Sequence, residues 1–181
     1  GVVIYLFFWA IYLLGLMDDK FFLNIIVSVI PFVLVSLKED LFHNTTPKNR
    51  LILMIISCLI FFYLNPIEFP VIDFLYLEKI LTFYPLSIVF FTFAILVVMN
   101  GMNIIDGMNG LFCFTALIQL LCISLIAFQL NDIYLVKISL LFCSPLLIFL
   151  FFNFPFGKIF IGDLGAYLYG FINSCLVIYL F

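Results

Sequence analysis

The sequence predicts an all-α integral membrane protein, a polytopic transmembrane helix bundle with about seven spans in this segment. Three observations predict it. Hydrophobic residues fill 67% of the 181 positions and charged residues only 9%, whereas a soluble domain carries roughly a quarter charged residues. The apolar runs are continuous rather than alternating, which suits helices that satisfy their own backbone in lipid and not the strands of a barrel. Short polar breaks separate runs near the ~20 residues that a crossing helix needs.

The spans are read in order at about 1–17, 21–37, 50–65, 82–99, 111–130, 133–152 and 159–181. Each is bounded by residues that lipid rejects. Asp18-Asp19-Lys20 closes the first, Lys38 to Asn49 the second, and Asn65 to Lys79 the third. Asn100 to Gly110, Asn131-Asp132, and Asn153 to Lys158 close the next three. The third connection, with two prolines and alternating apolar residues, is expected to form a short interfacial hairpin. The chain opens at Gly1 in one apolar run and stops at Phe181 inside another, so a segment of a longer membrane protein is expected. A net charge of −3 excludes a general nucleic-acid binder. Cys58, Cys113, Cys122, Cys143 and Cys175 lie scattered in apolar runs and read as small buried residues, not as disulfides or metal ligands.

Consecutive spans alternate direction, so the second, fourth and sixth connections share one face of the bilayer. Lys plus Arg divides four against three in favour of that face, with the densest cluster between Lys38 and Arg50, and this orients it to the cytoplasm. In "SLKEDLFHNTTPKNRL", Glu39 and Asp40 sit where the second span leaves the membrane, and adjacent carboxylates recruit hard cations. The bland reading is a solvated loop whose Thr45-Thr46-Pro47 caps the next helix and whose His43 is a plain loop histidine.

In "NGMNIIDGMNGL", Asn100, Asn103 and Asp106 recur every three residues and would share a helical stripe of amides and one carboxylate. That set suits a phosphate or sugar bound with a metal, while Gly107 and Gly110 would admit a ligand close to the backbone or end the helix. In "FNFPFGKIFIGDLGAYLYG", Asp163 lies just inside the last apolar run, where an ionisable group is costly and marks function unless it is a plain first-turn acid. Gly162, Gly165 and Gly170 would otherwise be a helix-packing surface. Acids, amides and cations gathered on one membrane face suit metal-assisted handling of phosphates, including the phosphate of a lipid.

These segments resemble those of the polyprenyl-phosphate sugar-1-phosphate transferases, the family of phospho-N-acetylmuramoyl-pentapeptide transferase and the UDP-N-acetylglucosamine:undecaprenyl-phosphate transferases. Asn100 to Leu111 is similar to the family's asparagine-rich Asp-Gly loop, Phe160 to Ala166 to its Gly-Asp-x-Gly-Ser/Ala segment, and Glu39-Asp40 to its paired aspartates. The likeness covers essentially the whole chain. It implies attack of a lipid phosphate oxygen on the β-phosphorus of a UDP-N-acetylhexosamine, giving lipid-diphosphate-sugar and UMP, with Mg²⁺ (Mn²⁺ as a substitute). Asp163 would then be a direct metal ligand and Asp40 the group that deprotonates or orients the lipid phosphate, with Glu39 beside it. Asn103 and Asp106 would hold the diphosphate or the metal shell. Asn100 and Asn109 would serve substrate binding, Phe160 would offer a face to uracil, and Lys48 and Arg50 would attract phosphate. The implied partners are the UDP-sugar, polyprenyl (undecaprenyl) phosphate and the bilayer, with a homodimer allowed. The implied location is the bacterial inner membrane, active face cytoplasmic.

Departures from the family pattern sharpen this. Glu39 replaces an aspartate, Asn109 stands where the peptidoglycan branch tends to have an acid, and that branch's lysine-bearing continuation is absent. The last two point to the N-acetylhexosamine-1-phosphate branch that starts O-antigen or other envelope polysaccharides, with the peptidoglycan transferase as the alternative. The family's first span and its C-terminal spans with a histidine-containing loop have no counterpart here. Asp18-Asp19 imitates the acidic pair but faces the opposite side, where a tight turn explains it. A transporter would place its polar residues near mid-span, whereas here they cluster at span ends; a purely structural subunit has no use for the Asn/Asp stripe.

Overall fold

The computed structural model describes residues 1–42, 46–66, 69–70 and 81–181, with side chains described throughout except at 40–42. Eight helices follow one another among these residues: α1 (Val2–Leu13), α2 (Lys20–Ser28), α3 (Ile30–Phe42), α4 (Pro47–Leu64), α5 (Tyr84–Ile105), α6 (Leu111–Gln129), α7 (Ile133–Asn153) and α8 (Gly162–Leu180). Among the described residues six helical segments are long and apolar enough to cross a membrane, α2 and α3 together making one of them as Lys20–Glu39. With α1, the bundle has the seven apolar segments the sequence predicts.

The boundaries differ where backbone chemistry intervenes. α1 stops at Leu13, because Gly15 takes φ +67 and turns the chain; at ~1.5 Å per residue it is shorter than a bilayer crossing. The second span breaks at Val29, since Pro31 has no N–H to offer the Val27 carbonyl. The fourth span runs past Asn100 to Ile105, because Asn100 bonds back onto the Leu96 carbonyl at 2.8 Å and the helix continues beneath it. The polar connection thus begins six residues later than expected, at Asp106. The interfacial hairpin expected over Asn65 to Lys79 falls on 67–68 and 71–80, outside the described residues.

Caps fall on the polar residues that bound the runs. Asp19 accepts from the Phe21 N–H at 2.7 Å, Thr46 from Asn49 at 3.3 Å and Asp132 from Leu135 at 2.9 Å. Pro47 at the first helical position of α4 loses nothing by lacking an N–H.

α8 is the central helix. Of its membrane-length window 72% is buried, against 28% for α4, and it packs on α1, α3, α5, α6 and α7. α5 approaches it most intimately. A Cβ on Gly170 would stand 2.6 Å from the Met99 Cα, so only glycine lets the two backbones meet there. Packed aromatics, among them Phe8, Phe22, Phe142 and Tyr169, fill the rest of the core.

The two ends of the bundle carry different polar groups. Asp19 receives the Tyr134 hydroxyl at 2.8 Å, at the end where α2 and α7 begin. Asp19 is therefore a cap and tether, and the Asp18-Asp19 pair lies at the end opposite Asp163, as the count of crossings requires.

Candidate functional site

Asp163 is the hub of the opposite end. Gly162, at φ +75, turns the chain into α8 and puts Asp163 in its first turn, where helix amides favour negative charge. Its Oδ1 accepts from Asn103 Nδ2 at 2.8 Å, and its Oδ2 forms an ion pair with Arg50 Nη1. Asp106 closes α5 and accepts from the Gly162 N–H at 3.2 Å. The first turns of α4 and α8 and the last turn of α5 thus meet within one hydrogen-bonded cluster. The Arg50 guanidinium also lies 5.6 Å from the centroid of the Tyr167 ring. At 27% and 31% exposure, the Arg50 and Asp163 side chains both remain reachable from solvent.

A second set of bonds fixes the loop that leads into α8. Asn153, only 2% exposed at the end of α7, accepts the Gly110 N–H at 2.6 Å and donates to the Ile159 carbonyl at 2.8 Å. Asn109 donates to the Pro155 carbonyl at 3.1 Å and packs against Gly157, where any Cβ would strike its amide. Gly110 takes φ +78 as α6 begins. Phe160, 56% exposed, projects from this loop three residues before Asp163. Asn109, in the loop after α5, and Asn153, at the end of α7, therefore hold that loop against the one before α8.

Of the residues singled out in the sequence, Asn103, Asp106 and Asp163 come together. Asn100 does not join them. Three-residue steps rotate by 300° rather than a full turn, leaving Asn100 about 120° from Asp106; it is exposed and bonded to its own helix. Glu39 ends up at the same end as Asp163, near enough to Tyr167 for its charge to be felt there. The Asp40 side chain and His43 lie outside the described residues. Lys48 is exposed on the first turn of α4.

The electrostatics of the pair are lopsided. Burial pushes the Asp106 carboxyl up, to about 6; hydrogen bonds from the Gly162 and Ile161 backbone pull it back, and the Asp163 charge raises it further. A cation bound beside Asp106 would offset the Asp163 charge that acts on it. Among the described residues no three His, Cys, Asp or Glu side chains form an all-protein cage. Asp106, Asp163 and the Asn103 carbonyl are hard oxygen donors, and this sparse set fits Mg²⁺, which is held by one or two carboxylates and completed by water and substrate phosphates.

Three participants carried a weaker sequence signal. Asn153 reads as a span boundary, like the other asparagines that end apolar runs. Tyr167 sat inside a hydrophobic stretch, although it lies four residues beyond Asp163 on the same helical face. Arg50 reads as a cation that attracts phosphate, with nothing in its own stretch of chain to pair it with Asp163.

A family model described as glycosyl transferase family 4 matches residues 2–181. A phospho-N-acetylmuramoyl-pentapeptide-transferase of Dictyoglomus thermophilum is 31% identical over 180 residues, 95% of this chain and 56% of its own length. A probable undecaprenyl-phosphate N-acetylglucosaminyl 1-phosphate transferase of Bacillus subtilis is 34% identical over 93 residues, 51% of this chain and 25% of its own. A phospho-N-acetylmuramoyl-pentapeptide-transferase of Streptococcus uberis is 29% identical over 84% of this chain and 46% of its own length. The chain spans about half the length, or less, of the relatives it matches. No solved structure matches it.

Proposed function

The chain belongs to glycosyl transferase family 4, and on that premise we propose that it is the membrane-embedded core of a transferase that moves a sugar-1-phosphate from a UDP-sugar onto polyprenyl phosphate. The observation that carries this reading is the cluster of Asp163, Asn103, Asp106 and Arg50, drawn from three helix ends at one end of an apolar bundle. A lipid phosphate and a water-soluble nucleotide can meet only at such a border. One phosphoanhydride replaces another, so catalysis rests on alignment and charge neutralisation rather than on bond energy.

In this reading Asp163 and Asp106 would hold Mg²⁺, or Mn²⁺ in its place, and Asn103 orients Asp163; the bound cation would supply charge neutralisation of the diphosphate. Asp40 and Glu39 receive and orient the lipid phosphate, which is already largely ionised near neutral pH and needs little help from a base. Phe160 and Asn109 border the nucleoside end, while Lys48 and Arg50 attract phosphate oxygens. The polyprenol is undecaprenol, the membrane is the bacterial inner membrane and the site faces the cytoplasm.

The donor we favour is a UDP-N-acetylhexosamine for O-antigen or another envelope polysaccharide, because Asn109 replaces an acid and the lysine-bearing continuation is missing. The Dictyoglomus likeness over 95% of the chain favours a second reading, the muramoyl-pentapeptide donor of peptidoglycan synthesis. Membranes containing the full-length protein, supplied with undecaprenyl phosphate, Mg²⁺ and each UDP-sugar in turn, separate the two by the lipid product formed. Asp163→Asn and Asp106→Asn are expected to abolish UMP release while expression and insertion persist. Full activity in either variant would overturn the site assignment.

A further inference from the structure

We infer that the Arg50–Asp163 ion pair is a latch: it competes with the divalent cation for Asp163 and opens when a diphosphate takes over the guanidinium. The inference rests on the reading that Asp163 binds a cation.

Arg50 occupies an awkward place for a cation. It lies in the first turn of α4, where the partial positive charge of the helix end repels it. A nearby anion must offset that, and in this structure the anion is Asp163. Both oxygens of Asp163 are thereby engaged, one by Asn103 Nδ2 and the other by the guanidinium. A divalent ion entering this site meets a unit positive charge at contact distance from its ligand. At an effective dielectric near 20 that repulsion is no smaller than the attraction of an ordinary exposed salt bridge.

The same geometry makes the contact releasable. Both side chains are about seven-tenths covered, so neither is locked in a dry interior. Tyr167 provides the pivot. Its ring lies under the guanidinium and its own position, four residues beyond Asp163, places it on the same face of α8. An arginine resting over an aromatic ring can turn its planar fork of N–H donors toward phosphate oxygens, a geometry that lysine cannot reproduce. A diphosphate that accepts those donors frees Asp163 for the cation. By reciprocity, cation and diphosphate each strengthen the other's binding through this one side chain, in addition to their direct attraction.

The test uses the purified protein in detergent, with Mn²⁺ binding followed by electron paramagnetic resonance, alone and with UDP present. Without UDP, R50Q is expected to bind Mn²⁺ about fivefold more tightly than wild type, and the further tightening produced by UDP shrinks. D163N loses Mn²⁺ binding. Should R50Q fail to fold, R50K decides by its response to UDP: it keeps the charge but gives up the planar fork, so a smaller tightening of Mn²⁺ binding by UDP than in wild type supports the latch, and a tightening equal to wild type overturns it. Unchanged or weaker Mn²⁺ binding in folded R50Q, with D163N still defective, removes the latch and leaves the cation site standing. Retained Mn²⁺ binding in D163N removes the cation assignment itself, and the latch with it.

Discussion

Replacing Gly170 by alanine tests whether the close approach of α5 and α8 positions the candidate site. The new Cβ would stand 2.6 Å from the Met99 Cα, 3.1 Å from the Met99 N and 3.3 Å from the Val98 carbonyl oxygen. Carbon atoms in contact sit at about 3.5–4.0 Å, so the two backbones must part by roughly 1 Å. Neither neighbour is the free end of a side chain, and overpacking of this kind costs about 1–3 kcal/mol. The strain also reaches the site. Asp163 lies two turns before Gly170 on α8, and Asn103 about one turn after Met99 on α5, so both ride on the helices being separated. Their hydrogen bond, now 2.8 Å, would lengthen by up to the same ~1 Å and leave bonding range. We expect Gly170→Ala to lower the melting temperature in detergent and to cut kcat/KM for UMP release by roughly 10- to 100-fold, the penalty for ~1 Å of misplacement. Gly101→Ala is the control. It lies in the same helix with nothing within 4 Å of its added Cβ, so it should be neutral or stabilising by up to about 1 kcal/mol. A Gly170→Ala protein that melts with wild type and turns over at the wild-type rate would refute the argument.

Asn153→Leu removes the acceptor of the Gly110 N–H and the donor to Ile159; about 1–3 kcal/mol of stability should be lost, and KM for the UDP-sugar should rise more than kcat falls. Asp106 has its carboxyl raised to about 6, so any stability it lends is fully present below its ordinary value near 4 and is lost as pH rises through about 6. Asp106→Asn should therefore melt no lower than wild type at pH 8, while Mn²⁺ binding by wild type should weaken as pH is lowered below about 6; a strongly destabilised Asp106→Asn at pH 8 would contradict this. Asp19→Ala loses a helix cap and the Tyr134 contact and should cost about 0.5–2 kcal/mol, yet leave UMP release per folded molecule unchanged, a comparison readable from melting curves and specific activity.

Much of this architecture is legible in the sequence because transfer into lipid is a local property. A run of twenty apolar residues crosses wherever it is found, and polar residues mark its ends. Counting crossings then assigns Asp106 and Asp163 to one end and Asp18-Asp19 to the other, with no knowledge of packing. Caps at Asp19, Thr46 and Asp132 are equally local, since each serves an amide within three residues. Helix ends are less legible. Asn100 looked like a terminus, but its side chain satisfied itself on Leu96 and the helix ran on to Ile105.

Partnership across helices is where local reading stops. The three-residue spacing of Asn100, Asn103 and Asp106 could not say which of them faces a neighbour, because that depends on how α5 is rotated against α8. Gly170 sets that contact from the middle of the membrane, far along the chain from both site residues. The same holds for Arg50 on Tyr167 and for Asn153 between two loops: each looked ordinary in its own stretch of chain. The sequence alone determined a membrane bundle, its apolar segments and the ends at which Asp18-Asp19, Asp106 and Asp163 emerge, because burial in lipid is decided residue by residue. Tertiary structure alone decided that Asp163 is shared between Asn103 and Arg50, because a hydrogen bond needs two groups within about 3 Å, and helix packing alone brings such distant positions that close.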